Sequence, residues 1–143
     1  MADDWREVAA EWQGELSFSG KNPGGGMVQM GTIGDRPGIS PMELLLLSLA
    51  GCTGMDVVSI LTKKRQPPHD FQVRVRGKRA PGHPKLYTDI EVEYLVWGEG
   101  IEPKSVEQAI NLSKEIYCSV SAMLAASARI TTAYRVLKPG EPA

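Results

Sequence analysis

The feature that most constrains the fold is one long apolar segment, PMELLLLSLAGCTGMDVVSILTKK. Ser40 and Pro41 are an N-cap residue and a first-turn proline, and the pair Pro67-Pro68 stops whatever follows. We therefore predict a helix from Pro41 to about Lys64. Its apolar residues cover nearly all sides, which is typical of a helix enclosed by other elements. Because 143 residues offer little material to surround it, the sequence favours a second chain that supplies part of the cover.

The segments around this helix predict short strands and two smaller helices. In chain order the predicted elements are a hairpin (residues 8–19 and 27–32), the long helix, an antiparallel hairpin (71–96), two helices (103–117 and 119–128) and a last strand (130–136). This order predicts an α+β fold, with antiparallel sheets around the long buried central helix. One domain spanning residues 1–143 is expected.

Composition argues against two classes of partner, nucleic acids and membranes. The net charge of −1 comes without a basic block, so nucleic acid is not an expected partner. The longest apolar stretch, residues 44–52, is interrupted by Ser48 and is shorter than the ~20 residues that a membrane span needs. No membrane association is therefore expected. The acidic N-terminal residues do not resemble a signal peptide, which predicts a cytoplasmic location.

The chain has two cysteines, in contrasting settings. Cys52 lies inside the apolar helix, and Cys118 lies near the start of the second short helix, where a thiolate is favoured. In a reducing compartment such cysteines are free, bound to metal or transiently paired. Metal is the least favoured of these, because only His69 and His83 could join them and neither has ligand-like spacing. The sequence thus predicts neither a metal nor a cofactor.

The long helix carries one polar stripe, formed by Ser48, Cys52, Asp56 and Ser59 at three- and four-residue spacing. A thiol and a carboxylate on an otherwise apolar helix need partners. Two interpretations stay open. Either Asp56 bonds to a neighbouring element and Cys52 fills space, or Cys52 is a reactive thiol.

The charges near Cys52 bear on its reactivity. Asp56, one turn away, disfavours the thiolate and raises the pKa of the thiol unless a cation intervenes. The candidate cations are Lys21 on the first hairpin and Arg36 just before the helix. Glu43, in the first helical turn, is better explained as a partner of the free N–H groups than as a catalytic group.

Three motifs resemble the OsmC/Ohr family, the osmotically induced and organic-hydroperoxide-resistance proteins. They are SPMELL from Ser40, AGC ending at Cys52 eleven residues after Pro41, and YCSV around Cys118. The resemblance covers most of the chain. The stretch AGCTGMDVV is most similar to the subgroup whose members are largely uncharacterised.

This resemblance implies a fold, an activity and partners. The family forms an intertwined α+β homodimer around two central helices. In its peroxidase members the first cysteine attacks an organic hydroperoxide, and the second cysteine resolves the sulfenic acid to a disulfide. Carried over, Cys52 is peroxidatic and Cys118 is resolving. A dithiol reductant, such as a lipoylated protein, then reduces the disulfide.

The sequence departs from the peroxidase pattern at three positions. Met42 stands where those members have Glu, Lys21 lies where they use Arg, and Ser119 replaces a proline. Two functions therefore remain open. One is a thiol peroxidase acting on organic hydroperoxides in oxidative-stress defence. The other is a non-catalytic dimer that binds a small apolar or acyl ligand at its interface.

Overall fold

The computed structural model describes residues 4–143, which form two compact units that divide after Leu45. The elements in chain order are β1 (Ala9–Gly14), β2 (Ser17–Lys21), β3 (Met27–Met30), α1 (Pro41–Lys63), β4 (Asp70–Arg79), β5 (Tyr87–Trp97), α2 (Pro103–Leu112), a π-helical turn (Ser113–Tyr117), α3 (Ser119–Leu124) and β6 (Arg129–Leu137). The α+β class expected from the sequence is confirmed. The expectation of one domain stays a prediction.

The N-terminal unit contains an antiparallel sheet in the order β1-β2-β3. The first arm of the predicted hairpin, residues 8–19, forms two strands, β1 and β2. The chain turns between them at Gly14 and Glu15, which have positive φ values of 107° and 52°. The glycine-rich turn before β3 is closed by Asn22, whose Oδ1 accepts a hydrogen bond from the Gly26 N–H at 2.7 Å. These residues form a turn, as predicted.

Helix α1 begins with a capping box. The Ser40 N–H donates to Glu43 Oε1 at 2.9 Å, and the Glu43 N–H donates to Ser40 Oγ at 3.1 Å. The expectation that nearly all sides are enclosed is not met in this chain. Its buried residues lie along one face, Leu49, Thr53, Gly54, Val57 and Leu61.

Elsewhere on α1, large apolar side chains face outward. Leu47 is 51% exposed and Met55 is 76% exposed. The 23-residue helix, with a mean hydropathy of 2.0 over 18 residues, is also long and apolar enough to cross a membrane. The break at Ser48 was thus no argument against a span. Core helices of globular proteins meet the same criterion, so it carries no argument for a membrane either.

The C-terminal unit is built on a sheet in the order β4-β5-β6. Strands β4 and β5 pair antiparallel, as predicted, but β6 pairs parallel with β5. The sheet is therefore mixed, and the expectation of purely antiparallel sheets is wrong here. The cause is the crossover through α2 and α3, which returns the chain to the same end of the sheet.

Strand β5 lies in the core. The alternating apolar residues Ile90, Val92, Tyr94 and Val96 are buried. Leu95 and Trp97 on the opposite face are buried as well, in a cluster with Leu137. The solvent-facing polar residues of β5 are therefore confined to the first part of the strand.

The predicted helix from Pro103 to Tyr117 is α-helical only to Leu112 and π-helical after it. After α2 the backbone widens into the π-helical turn, and the Cys118 N–H donates to the Ser113 carbonyl at 2.7 Å. This turn places Ser113 in the interior with no exposed surface. Helix α3 follows at once but ends at Leu124, earlier than predicted.

Candidate functional site

The two cysteines meet in the C-terminal unit, beside a carboxylate. The Sγ atoms of Cys52 and Cys118 and one carboxylate oxygen of Asp56 all lie within 4.8 Å of one another. Cys118 is 3% exposed, whereas Cys52 and Asp56 are half-buried. A disulfide needs an S–S distance of about 2 Å, so the pair can close after a small side-chain or loop movement.

Local structure presents each of these groups. Cys52 and Asp56 are four residues apart on α1 and therefore share one face of the helix. Cys118 is the N-cap of α3, and its Sγ accepts a hydrogen bond from the Ser121 N–H at 3.3 Å. The predicted place of Cys118 at a helix start is confirmed. The prediction against a metal counted only His69 and His83 as additional ligands and left out the carboxylate of Asp56.

A chain of buried hydroxyl groups runs from the sheet to Asp56. The Tyr94 hydroxyl lies 2.7 Å from Thr53 Oγ1, which lies 2.8 Å from Ser113 Oγ. Ser113 Oγ donates to Asp56 Oδ2 at 2.8 Å. Each hydroxyl has one proton, so this last bond fixes the direction of the others. Thr53 donates to Ser113, and Tyr94 donates to Thr53.

This hydroxyl chain was not predicted as part of the site. The sequence did require a partner for Asp56, but it did not identify Ser113 as that partner. It gave no reason to single out Thr53 or Tyr94, because a hydroxyl in an apolar helix or strand has many other uses. Only the tertiary packing of α1, β5 and the π-helical turn joins them.

The site favours the thiol form of Cys52. Burial raises its pKa most, and a hydrogen bond and electrostatic interaction with Cys118 and the charge of Asp56 raise it further. The Val120 N–H acts in the opposite direction. The predicted effect of Asp56 thus has the right sign, although burial contributes more. Burial also raises the pKa of Tyr94.

The remaining predicted partners lie in the N-terminal unit. Glu43 is held by the capping box, and its hydrogen bonds with Ser40 lower the pKa of its carboxyl. Its role at the helix start is as predicted. The Lys21 Nζ lies 3.3 Å from Glu11 Oε1, and Arg36 lies in a tight turn. That Lys21 or Arg36 acts on Cys52 stays a prediction.

Comparison with known proteins identifies the family. Residues 34–133 match the family model described as OsmC-like protein. Protein YhfA of Escherichia coli K12 is 37% identical over 132 residues, which cover 92% of this chain and 98% of that protein. A hypothetical protein from Aquifex aeolicus VF5 has 40% identity and a TM-score of 0.85, covering 95% of this chain and 98% of its own.

A more distant structure shows the same fold. The organic hydroperoxide resistance protein OsmC from Legionella pneumophila superposes with a TM-score of 0.69 at 12% identity, covering 95% of this chain and 100% of its own. At this identity the likeness concerns the fold alone. The family match, the curated relative and the shared fold agree with the resemblance seen in the motifs. The chain belongs to the OsmC-like family.

Proposed function

We propose that the protein is a thiol-dependent peroxidase that reduces organic hydroperoxides through Cys52 and Cys118. The observation that carries this proposal is the separation of their sulfur atoms, which is within 4.8 Å. Cys52 is the attacking residue because it is half-exposed, whereas Cys118 is buried and suited to reach only a group attached to Cys52.

The reaction has two steps within the protein. Cys52 Sγ attacks the terminal peroxide oxygen, the O–O bond breaks, and the alcohol leaves with the thiol proton. Cys118 Sγ then attacks the resulting sulfenic acid, so that a disulfide forms and water leaves. A dithiol reductant, such as a lipoylated protein, restores both thiols by exchange and is itself oxidised to a disulfide.

An apolar groove of about 580 Å³ begins one residue from Cys52 on α1. Gly51, Gly54 and Met55 line it on the helix, and Phe71 and Val73 of β4 complete it, whereas Cys52 itself is not part of the lining. Such a groove suits the carbon chain of an organic hydroperoxide better than hydrogen peroxide. It equally suits a small apolar or acyl ligand in a protein without activity. The raised pKa of Cys52 favours this second function.

The exposed apolar residues of α1 support a homodimer. Leu47 and Met55 expose more apolar surface than a helix facing water needs. A second copy of the chain would cover them and would complete the enclosure expected from the sequence. The proposed chemistry also requires a reducing compartment, which agrees with a cytoplasmic location.

Peroxide consumption tests the proposal. The reduced protein is mixed with cumene hydroperoxide or hydrogen peroxide, and free thiols are counted as the peroxide disappears. We expect two thiols lost per chain, faster with the organic peroxide, and no turnover in Cys52→Ser. Cys118→Ser should stop after one equivalent, whereas the control Thr62→Ala, an exposed position of the same helix outside the groove, should behave as wild type. Survival of both thiols in excess peroxide would refute the peroxidase and leave the ligand-binding function.

A further inference from the structure

We propose that Cys52, Cys118 and Asp56 of the reduced protein together bind one thiophilic divalent cation, with Zn²⁺ as the ion. The proposal concerns the same site as the peroxidase but does not depend on turnover. Only its consequence for peroxide sensitivity rests on the proposed function.

The donor set has the size of a zinc site. With Zn–S bonds of about 2.3 Å and Zn–O bonds of about 2.1 Å at tetrahedral angles, neighbouring donors lie roughly 3.5–3.8 Å apart. The three donor atoms already lie within 4.8 Å of one another. Side-chain shifts of about 1 Å or less therefore suffice to close them around an ion. Cys52 and Asp56 are on one helix face, so the backbone fixes two of the three positions.

Hydrogen bonds already orient the donors. Ser113 donates one hydrogen bond to Oδ2 of Asp56, which holds the carboxylate while leaving lone pairs on its oxygens for a cation. The Ser121 N–H donates to Cys118 Sγ at 3.3 Å. Bonds of this kind hold metal ligands in place and offset the negative charge of thiolates. The hydroxyl chain behind Ser113 keeps the carboxylate pointed toward the sulfurs.

The chemistry of the donors selects the ion. Two thiolates and one carboxylate suit Zn²⁺ or Cd²⁺, whereas Mg²⁺ and Ca²⁺ require oxygen donors that this site does not supply in sufficient number. Three protein ligands leave a fourth position. Since Cys52 and Asp56 are only half-buried, water or a small ligand can fill that position.

Binding and oxidation exclude each other. Zn²⁺ displaces one proton from each thiol, giving two Zn–S bonds and two released protons. The disulfide has no thiolate to offer, so the oxidised protein loses the site. Conversely, the bound ion occupies the sulfur electron pair with which Cys52 would attack a peroxide. Zinc should therefore protect both thiols from oxidation.

Metal titration tests the site directly. Reduced, chelator-treated protein is titrated with CdCl₂ while thiolate-to-metal charge-transfer absorption is recorded, and with ZnCl₂ against a chromophoric chelator. We expect one ion per chain and a charge-transfer band. Affinity should fall about 100-fold in Cys52→Ser or Cys118→Ser and about tenfold or more in Asp56→Asn. The control Glu107→Gln removes an exposed carboxylate of α2 and should bind as wild type.

Wild-type protein oxidised with diamide is a control that needs no substitution. It should bind neither Cd²⁺ nor Zn²⁺. Equal affinity in the reduced and oxidised forms, or in Asp56→Asn and wild type, would overturn the proposed site. The two proposals fail separately. Tight binding without peroxide consumption would refute the peroxidase alone, and peroxide consumption without metal binding would refute the metal site alone.

Discussion

Thr53→Val tests the buried hydroxyl chain, because this residue is its middle member. Valine has nearly the same shape but can neither donate nor accept. The change removes two hydrogen bonds and leaves the hydroxyls of Tyr94 and Ser113, 2% and 0% exposed, each without a partner that it had. A lost hydrogen bond costs about 1 kcal/mol, and an unsatisfied buried group costs 1–3 kcal/mol, so we expect a loss of about 3 kcal/mol in the free energy of unfolding.

Removing the hydroxyl of Tyr94, the terminal member of the hydroxyl chain, should lower the free energy of unfolding by less. Tyr94→Phe deletes one donor, while Thr53 still donates to Ser113, so the expected loss is about 1 kcal/mol. The double variant Thr53→Val/Tyr94→Phe contains no orphaned phenol. Its loss should therefore be smaller than the sum of the single losses by roughly 1–2 kcal/mol, as expected for residues in one network.

Urea denaturation followed by circular dichroism at one protein concentration measures these losses. The matched control is Thr62→Val. Thr62 is also a threonine of α1, but it is exposed, and its hydroxyl donates to the Val58 carbonyl at 2.7 Å. Its effect should stay within about 0.5 kcal/mol. A Thr53→Val protein as stable as Thr62→Val, or strictly additive losses in the double variant, would show that the hydroxyl chain does not act as a unit.

Three further predictions follow from the charges of the site and from the helix cap. Asp56→Asn should speed alkylation of Cys52 by iodoacetamide at neutral pH, read site by site by mass spectrometry, because a charge that raises the pKa of the thiol is removed. Since the pKa values of Cys52 and Tyr94 are raised on folding, their contribution to stability is complete below the unfolded-state values and is lost as pH rises through the folded-state values. Urea midpoints should accordingly fall at alkaline pH, and less steeply in Tyr94→Phe. Ser40→Ala should cost about 1 kcal/mol through loss of the cap at the start of α1, and Ser40→Asp, which can still cap, should restore the urea midpoint.

Much of the fold could be predicted because its signals are local. The start of α1 follows from Ser40, Pro41 and Glu43, which form the capping box within four residues. The alternation of β5 likewise identifies its buried face. The parallel pairing of β6 could not be predicted in this way, since it depends on where the crossover returns the chain and not on the pattern of the strand itself.

The site could be predicted only in part, for the same reason. Spacing along one helix brings Cys52 and Asp56 to one face, and the motifs single out Cys118. The link between Asp56 and Tyr94 depends on α1, β5 and the π-helical turn packing together, which no local pattern encodes. Among the residues that the structure describes, every buried side-chain nitrogen and oxygen has a hydrogen-bond partner. The expectation that Asp56 has a hydrogen-bond partner was therefore correct, although the sequence did not show that the partner is Ser113.

Asp56 is the residue at which the proposed activities diverge. As a charge it adds to burial and to Cys118 in raising the pKa of Cys52, and so disfavours the thiolate that attacks a peroxide. As an oxygen donor it completes a cation site with the two sulfurs. Asp56→Asn should therefore accelerate thiol chemistry and weaken Zn²⁺ binding in the same protein. If Asp56 had only a structural role, Asp56→Asn would lower stability but would change neither the rate of Cys52 alkylation nor the affinity for Zn²⁺. Opposite shifts in the two assays would thus assign Asp56 a chemical role in either function.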